Sequence, residues 1–593
     1  MGSDYLRPPS VTEADIQDRC LAARQRLEGR AGLASDPVKQ YHRPAERSFA
    51  ASERERVTIL FGGLTAKHER LIEAVFGSCG YSCRAVPEAD LAACHIGKQY
   101  CNNGVCNPAY FTIGALIRYL QQLEAEGLSR QDIIDNYVFF TAGSCGPCRF
   151  GMYESEYRLA LRNAGFEGFR VLLFLQEHGL RADTGEPGLK LTLNFAFGTA
   201  NAFAFADALQ AFGYEARPYE TTPGLTERRL GESVERLAAA LAARRPKSAA
   251  DRVPAWVLRL PRARAIAGPL LATYDHLYSP WTKEIIRVCT EPLDDIDVDR
   301  LRVKPVVKVT GEFWAQTTEG DGNFRMFSFL EREGAHVLVE PIGGWVLYLL
   351  QYVRARLRQR RGLDIPRDAS RYQRLRAIVR EDTRLTKRRL LVELGEWMYR
   401  RHYDRIRAPL GAPHPLLDQR ELARLADPHY RELARGGEGH LEVAKSIYYT
   451  KHNAAHMVLS LKPFGCMPST QSDGVQAGVM TKLRDMLFLP IETGAEGELA
   501  AHSRVQMALV EARMRAQAEF ERALSSTGRR LEDIQGFVDA HPELRRATYY
   551  LPHRPGIAGV AANFVLHVGD LMRHGRHAQR AQAATPAAEG GAR

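Results

Sequence analysis

NYVFFTAGSCGPCRFGMYESEYRLALRNAGFEGFRVLLFL, residues 136–175, decides the fold. Residues 136–142 are a short apolar and aromatic run, the composition of a buried strand. Cys145–Gly146–Pro147–Cys148 follows as a turn, because Gly and Pro punctuate regular structure. Residues 153–164 read as a helix, and 170–175 as a second strand. Strand, turn, helix and strand in unbroken order make one βαβ unit, the building block of parallel sheets. Upstream, residues 57–60 read as a strand, Gly62–Gly63 as a turn and 67–77 as a helix. Residues 108–126 form an amphipathic helix with Phe111, Ala115, Ile117, Leu120 and Leu123 on its apolar side. The expectation is an open parallel α/β domain over 52–220, with its site beyond the carboxyl ends of the strands.

The same grammar returns later. Residues 305–313 (PVVKVTGEF) read as a strand ending at Gly311–Glu312, then 323–334 as a helix and 335–340 as a strand. They open a second α/β domain over 301–510, interrupted by a basic helical insertion at 344–443. Within it, 444–461 reads as a helix, 462–469 as a loop, 486–491 as a strand broken by Pro490, and 502–524 as a helix. Residues 1–51 read as a flexible arm holding one helix over 11–26, with Ile16, Cys20 and Leu21 on one face. Residues 221–300 read as a helical linker region, punctuated by Pro and Arg over 245–261. Residues 511–593 read as a C-terminal helical region with a disordered tail from about 575.

Hydrophobic residues make up 45% and charged residues 25% of the 593, ordinary for globular chains. No apolar run reaches the ~20 residues that span a bilayer, and the first thirty residues hold no secretory h-region. The expected compartment is the cytosol, where disulfides are rare and clustered cysteines do metal or redox work. The chain has 81 Lys and Arg against 70 Asp and Glu, and residues 351–410 alone hold 18 against 7. The whole excess therefore lies in one block. That excludes a general nucleic-acid-coating protein and points to a local basic surface.

Seven of the ten cysteines, at 79, 83, 94, 101, 106, 145 and 148, fall within 70 residues. Soft thiolates gathered in this way suit zinc or iron–sulfur clusters. Cys94, Cys101 and Cys106 stand seven and five apart in a Gly- and Asn-rich stretch that reads as a loop. There, backbone amides can turn toward cluster sulfurs. Pro108 starts the next helix, so Cys106 lies beside a helix N-terminus. Cys145 and Cys148 form the tetrapeptide of thioredoxins, but the crowd of further cysteines disfavours a dithiol oxidoreductase. Cys466, between Gly465 and Met467–Pro468, reads as a ligand from the second domain. Cys20, Cys79, Cys83 and Cys289 read as structural. His452 and His456, four apart, lack the Glu of the zincin pattern and carry little metal signal.

Four segments together resemble the 2-hydroxyacyl-CoA dehydratase superfamily, in its branch related to 2-hydroxyglutaryl-CoA dehydratase activators and similar to the double-cubane cluster proteins. They are Lys98–Asn103 with Cys106–Ala109, then Gly146–Gly151, then Lys462–Pro468, then Leu489–Thr493. In order and spacing they cover roughly 55–520. Asn107 stands where the family carries an aromatic residue, and Gly494 where it is usually acidic. The resemblance implies two flavodoxin-like domains and a [4Fe–4S] or double-cubane cluster held between them by Cys106, Cys148 and Cys466. Cys94, Cys101 and Cys145 are further candidate ligands. It also implies an oxygen-sensitive lyase or reductase component that takes a low-potential electron from an actin-fold ATPase activator. The substrate class implied is a CoA ester. No phosphate-binding loop is legible here, so nucleotide is expected on the partner. The alternatives are a zinc- or thiol-containing scaffold and a CxxC dithiol oxidoreductase.

Overall fold

In strand β1 (Thr58–Phe61), Ile59 and Phe61 enter one apolar layer and Leu60 another, and all three are buried. A strand buried on both faces belongs inside a parallel sheet with helices on each side. The structure is a computed structural model that describes residues 13–31, 47–143, 146, 148–175, 179–180, 188–245, 253–254, 261–363, 370–412, 414–434 and 437–574. They fall into two compact units, residues 1–46 and 47–593. Unit one holds helix α1 (Glu13–Arg30), on which Ile16, Cys20 and Leu21 are exposed. The remainder of the expected arm up to residue 46 lies outside the described residues, as does the expected tail from 575.

Unit two opens with β1 and continues through α2 (Ala66–Ser78), β2 (Ser82–Ala85), α3 (Leu91–Tyr100), α4 (Asn107–Ala125) and α5 (Arg130–Asn136). Then come β3 (Tyr137–Gly143), α6 (Tyr153–Asn163), β4 (Arg170–Leu175) and the two-residue β5 (Gly179–Leu180). The sheet order is β2-β1-β3-β4-β5, parallel throughout except for the β4–β5 pair. Helix α2 and the long α7 (Leu193–Ala216) cover one face, packing Leu71, Phe76 and Phe205 against Ile59 and Val138. Helices α4 and α6 cover the other, packing Ile113, Leu116 and Tyr157 against Leu60 and Phe139. The expected helical linker region holds α8 (Leu225–Ala242), α9 (Pro261–Leu277) and α10 (Pro280–Thr290). Leu230, Val234, Leu237 and Leu241 of α8 join the first core, because that apolar stripe needs cover. Most of 245–261 lies outside the described residues.

The second sheet starts with β6 (Val306–Gly311), α11 (Phe313–Thr317), α12 (Met326–Arg332) and β7 (His336–Leu338). The insertion follows as α13 (Ile342–Gln359), α14 (Arg371–Arg407) and α15 (Gln419–Ala426), leading to α16 (Gly439–Lys451). Strand β8 (Met457–Pro463), α17 (Met467–Lys482), β9 (Phe488–Thr493) and α18 (Glu498–Thr527) complete the layer, and α19 (Leu531–Ala540) and α20 (Val560–His574) close the chain. The order is β7-β6-β8-β9, all parallel. Val307, Val309 and Leu459 face Phe327, Val505 and Leu509, while Val306, Val458 and Phe488 face Val443, Ile447 and Val479. Both sheets thus carry the flavodoxin-like strand order, and each has a switch point, at β1/β3 and β6/β8. Among the described residues no helix is long and apolar enough to cross a membrane.

Three expectations need correction. Residues 444–461 are not one helix: α16 ends at Lys451, and β8, the partner of β6, begins at Met457. All seven residues of β8 are buried, so the run shows no alternation to separate strand from helix. The cysteine stretch from 94 is not all loop, since α3 runs through Tyr100. The boundary expected at 510 falls inside α18.

Helices α3 and α4 cross in near backbone contact. A β-carbon on Gly97 would sit 1.9 Å from the Tyr110 carbonyl oxygen, and one on Gly114 would sit 1.8 Å from that of Ala93. Only hydrogen fits there. Gly97→Ala is therefore expected to force the helices apart and destabilise the protein by about 2–3 kcal/mol, the scale of overpacking. A urea midpoint equal to that of the parent protein would contradict this crossing.

Candidate metal centre

Cys106, Cys148 and Cys466 each occupy the residue immediately before a helical turn. Cys106 caps α4, Cys148 caps the short turn Arg149–Met152 that runs into α6, and Cys466 caps α17. Pro108 and Pro468 stand in the first turns of α4 and α17, where a missing N–H costs nothing. Such starts leave free backbone N–H groups and partial positive charge, a setting for an anionic ligand. Cys148 follows β3 and Cys466 follows β8, so both leave the carboxyl ends of central strands.

Three contacts bring the cysteines together. Asn107 N donates to the Phe464 carbonyl at 3.0 Å, joining the α4 start to the segment before Cys466. Gly465, at φ +78°, passes so close that a β-carbon there would lie 3.3 Å from Cys106 Cα. Cys148 joins from the other side, because a β-carbon on Gly437 would lie 3.5 Å from Cys148 Cβ and 2.3 Å from Pro468 Cγ. The Cys106 thiol lies 2.9 Å from Tyr153 Oη. The sequence separation of 318 positions from Cys148 to Cys466 is thus closed by the meeting of the two sheets' carboxyl edges.

Two buried carboxyls stand among the thiols, and the sequence reading assigned neither a role. Glu312 follows β6 and accepts from Ala315 N at 3.0 Å, and Glu438 accepts from Phe313 N. Burial pushes both carboxyls up from their ordinary range, and the Glu312 charge adds to the effect on Glu438. Burial pushes Cys106 up to about 11. It pushes Cys148 and Cys466 higher still, with the charges of Glu438 and Glu312 adding to it. The Arg149 charge acts the other way on Cys106 and only partly offsets burial, so all three are neutral thiols at neutral pH. Cys148 is therefore no ready thiolate of the dithiol-oxidoreductase kind. The one legible signal for Glu312 was its place, straight after Gly311 at a buried strand's carboxyl end. Glu438 left none.

The remaining cysteines lie elsewhere. Cys94 is buried within α3. Cys101 ends α3 beside Glu156, and burial pushes its thiol up to about 12. Neither shares the Glu312–Glu438 pair. Cys145 lies outside the described residues. Cys83 sits in β2, Cys79 follows α2, and buried Cys289 donates to the Ile286 carbonyl. His452 and His456 are not a pair: the first meets Glu421, and the second accepts from Val306 N and meets Glu519.

Among the described residues no group of three or more His, Cys, Asp or Glu side chains is arranged to hold a metal ion. A tetrahedral zinc site would need four such donors gathered tightly. A cluster is larger than an ion, and its sulfurs also accept hydrogen bonds. Two surplus donors fit that need. Asn107 Nδ2 and Arg149 Nε are buried without a partner, each on the residue after a cysteine of the trio. Three cysteines at helical starts with unpaired donors beside two of them fit an iron–sulfur cluster.

The mouth of this centre is apolar and open. Phe464 is 62% exposed, and Met467 and Met152 about 40%. Beyond Trp314, two residues from Glu312, a cavity of about 330 Å³ opens between the sheets at the carboxyl ends of β1 and β2. Its walls include the Gly62–Thr65 turn, Glu69, Glu88 and Glu319. Burial pushes the Glu69 carboxyl up to about 8. Trp314 also packs on Phe111 of α4, with ring centroids 5.5 Å apart. Neither a scan against protein-family models nor a search of curated proteins returns a match to this chain.

Proposed function

We propose that this chain is a cytosolic, oxygen-sensitive iron–sulfur protein of the 2-hydroxyacyl-CoA dehydratase type, the component that receives one low-potential electron and delivers it to a substrate. The observation that carries the reading is the meeting of Cys106, Cys148 and Cys466 at three helical starts from two sheets. Those three residues would hold a [4Fe–4S] or double-cubane cluster, which supplies one-electron chemistry when bound. Asn107 and Arg149 supply hydrogen bonds to sulfur, and the helix starts favour the thiolate charge. Burial raises the Glu312 and Glu438 carboxyls, which makes them groups able to take up or release a proton beside the centre. The exposed Phe464, Met467 and Met152 form a dry face on which an electron-donating partner can seat. The partner we propose is an ATPase of actin fold that hydrolyses ATP as it delivers the electron. The cavity beyond Trp314 is the place we propose for the reacting end of a substrate of the CoA-ester class.

Protein purified without oxygen is expected to be brown, with iron and acid-labile sulfide in similar amounts. Colourless protein holding stoichiometric zinc would replace this reading with the scaffold alternative.

A further inference from the structure

Five ionisable side chains that the metal centre does not use, His68, Asp207, Glu215, Glu340 and His414, line a narrow cleft of about 50 Å³. Buried charge is costly, and an apolar wall would pack the same helices and strands. Glu340 is held by Lys308 at 3.0 Å and by Lys445 at 3.6 Å. The other four make two steps, one toward solvent and one deep inside. At the outer step, the His414 side chain is 38% exposed and its Nε2 lies 3.2 Å from Glu215 Oε1. At the inner step, His68 Nε2 lies 3.1 Å from Asp207 Oδ1, and both side chains are buried. Asp207 also takes the Ile342 and Gly343 N–H groups at 2.7 Å each, so it is an acceptor and His68 carries its ring proton on Nε2. The bare Nδ1 then accepts from Thr65 Oγ1 at 2.6 Å. Thr65 lines both this cleft and the larger cavity beyond Trp314.

These bonds point one way, from Thr65 to His68 to Asp207. When Thr65 Oγ1 takes up a proton, that order sends one outward: Thr65 passes its own to Nδ1, and His68 passes the Nε2 proton to Asp207. The cleft spans the stretch from Asp207 to Glu215. A buried water needs about 10–15 Å³ of such space and polar partners, so the cleft has room for a short file of them. Gln210 Oε1 and Tyr403 Oη, on two of its lining residues, are buried with no protein partner, as water-binding atoms are. Elimination of water from a CoA ester takes a proton from carbon, and a thioester seated in the larger cavity shuts out solvent at its mouth.

We propose that Thr65, His68, Asp207, Glu215 and His414 form a path that carries a proton from the back of the substrate cavity to solvent. It rests on the assignment of that cavity to the substrate. One proton enters at Thr65 for each that His414 releases, imidazole being a shuttle near neutral pH. His456 is an internal control, because it is also buried, meets Glu519 at 3.2 Å and lines neither cavity. The experiment reads hydrogen exchange of imidazole N–H groups by NMR in the full anaerobic chain labelled with heavy nitrogen at histidine, with His68→Gln assigning the signal. The His68 ring proton is expected to exchange at least about tenfold faster than that of His456, although both are buried. His414→Phe removes the outer step, and Ala211→Leu adds bulk to the wall of the cleft. Each should slow His68 by at least about tenfold and leave His456 unchanged. Exchange as slow as that of His456, or slowed by neither variant, would overturn the path. The measurement needs neither substrate nor electron donor, so that result would leave the iron–sulfur reading standing. Fast His68 exchange in colourless, zinc-loaded protein would do the reverse.

Discussion

Alanine at Cys106, Cys148 or Cys466, one at a time, is expected to strip the protein of most of its iron and its brown colour, while Cys94→Ala, Cys101→Ala and Cys289→Ala keep both. Each member of the trio caps a helical start at the place where the two sheets' carboxyl edges meet. Removing one thiol leaves two, too few for a stable cluster. Losing a metal-bound group costs far more than losing a packed sulfur atom, because binding free energy is also folding free energy. Cys94 is held inside α3, and Cys289 donates to a backbone carbonyl in its own helix. Cys101 faces Glu156 rather than the Glu312–Glu438 pair. Iron and sulfide assays on anaerobic protein, with circular dichroism to confirm folding, decide the matter. Iron lost equally from Cys94→Ala or Cys101→Ala would show that the ligand set is wrong.

The sheets were legible because their strands are punctuated. Gly62–Gly63 and Gly311–Glu312 stop β1 and β6 at their carboxyl ends, and the 136–175 stretch spells out strand, turn, helix and strand. Strand β8 was hidden because burial on both faces removes the period that marks a strand, and Asn453 at φ +44° ends the helix before it without a Gly or Pro. Helix α3 was hidden behind its own Gly97, which looks like a breaker and is instead the crossing point with α4. The trio of Cys106, Cys148 and Cys466 was implied only by the resemblance, because no spacing joins residues 148 and 466; Gly465, which brings the segment before Cys466 against Cys106, acts only in the folded chain. Glu438 was not legible, because nothing in its neighbourhood differs from a polar surface turn. Its role comes from Phe313, 125 residues away.

Those buried groups also set how the fold meets acid. His276, His402 and His440 are buried and His553 is half-buried, and loss of solvent holds all four neutral, down to about 3, 3, 4 and 3. The Arg244 charge adds to the effect on His276, Arg405 on His402, Lys445 on His440 and His414 on His553. An unfolded histidine titrates near 6.5, so between about 3 and 6.5 the unfolded chain binds more protons. Stability from these groups is full above about 6.5 and is lost as pH falls below it. Each histidine contributes up to ~1.4 kcal/mol per pH unit in that window. Four acting together rival a typical total stability of about 5–15 kcal/mol within two or three pH units. The protein is expected to unfold cooperatively near pH 5. His402 isolates the cause, because neither of its ring nitrogens has a hydrogen-bond partner. His402→Leu keeps the packing, forfeits no hydrogen bond, and should lose roughly 1 kcal/mol less than the parent between pH 7 and pH 5.5, the share of one histidine. Urea midpoints of both proteins at the two pH values measure this difference, in which any acid lability of a bound cluster cancels. An equal or larger loss in His402→Leu would mean that acid acts elsewhere.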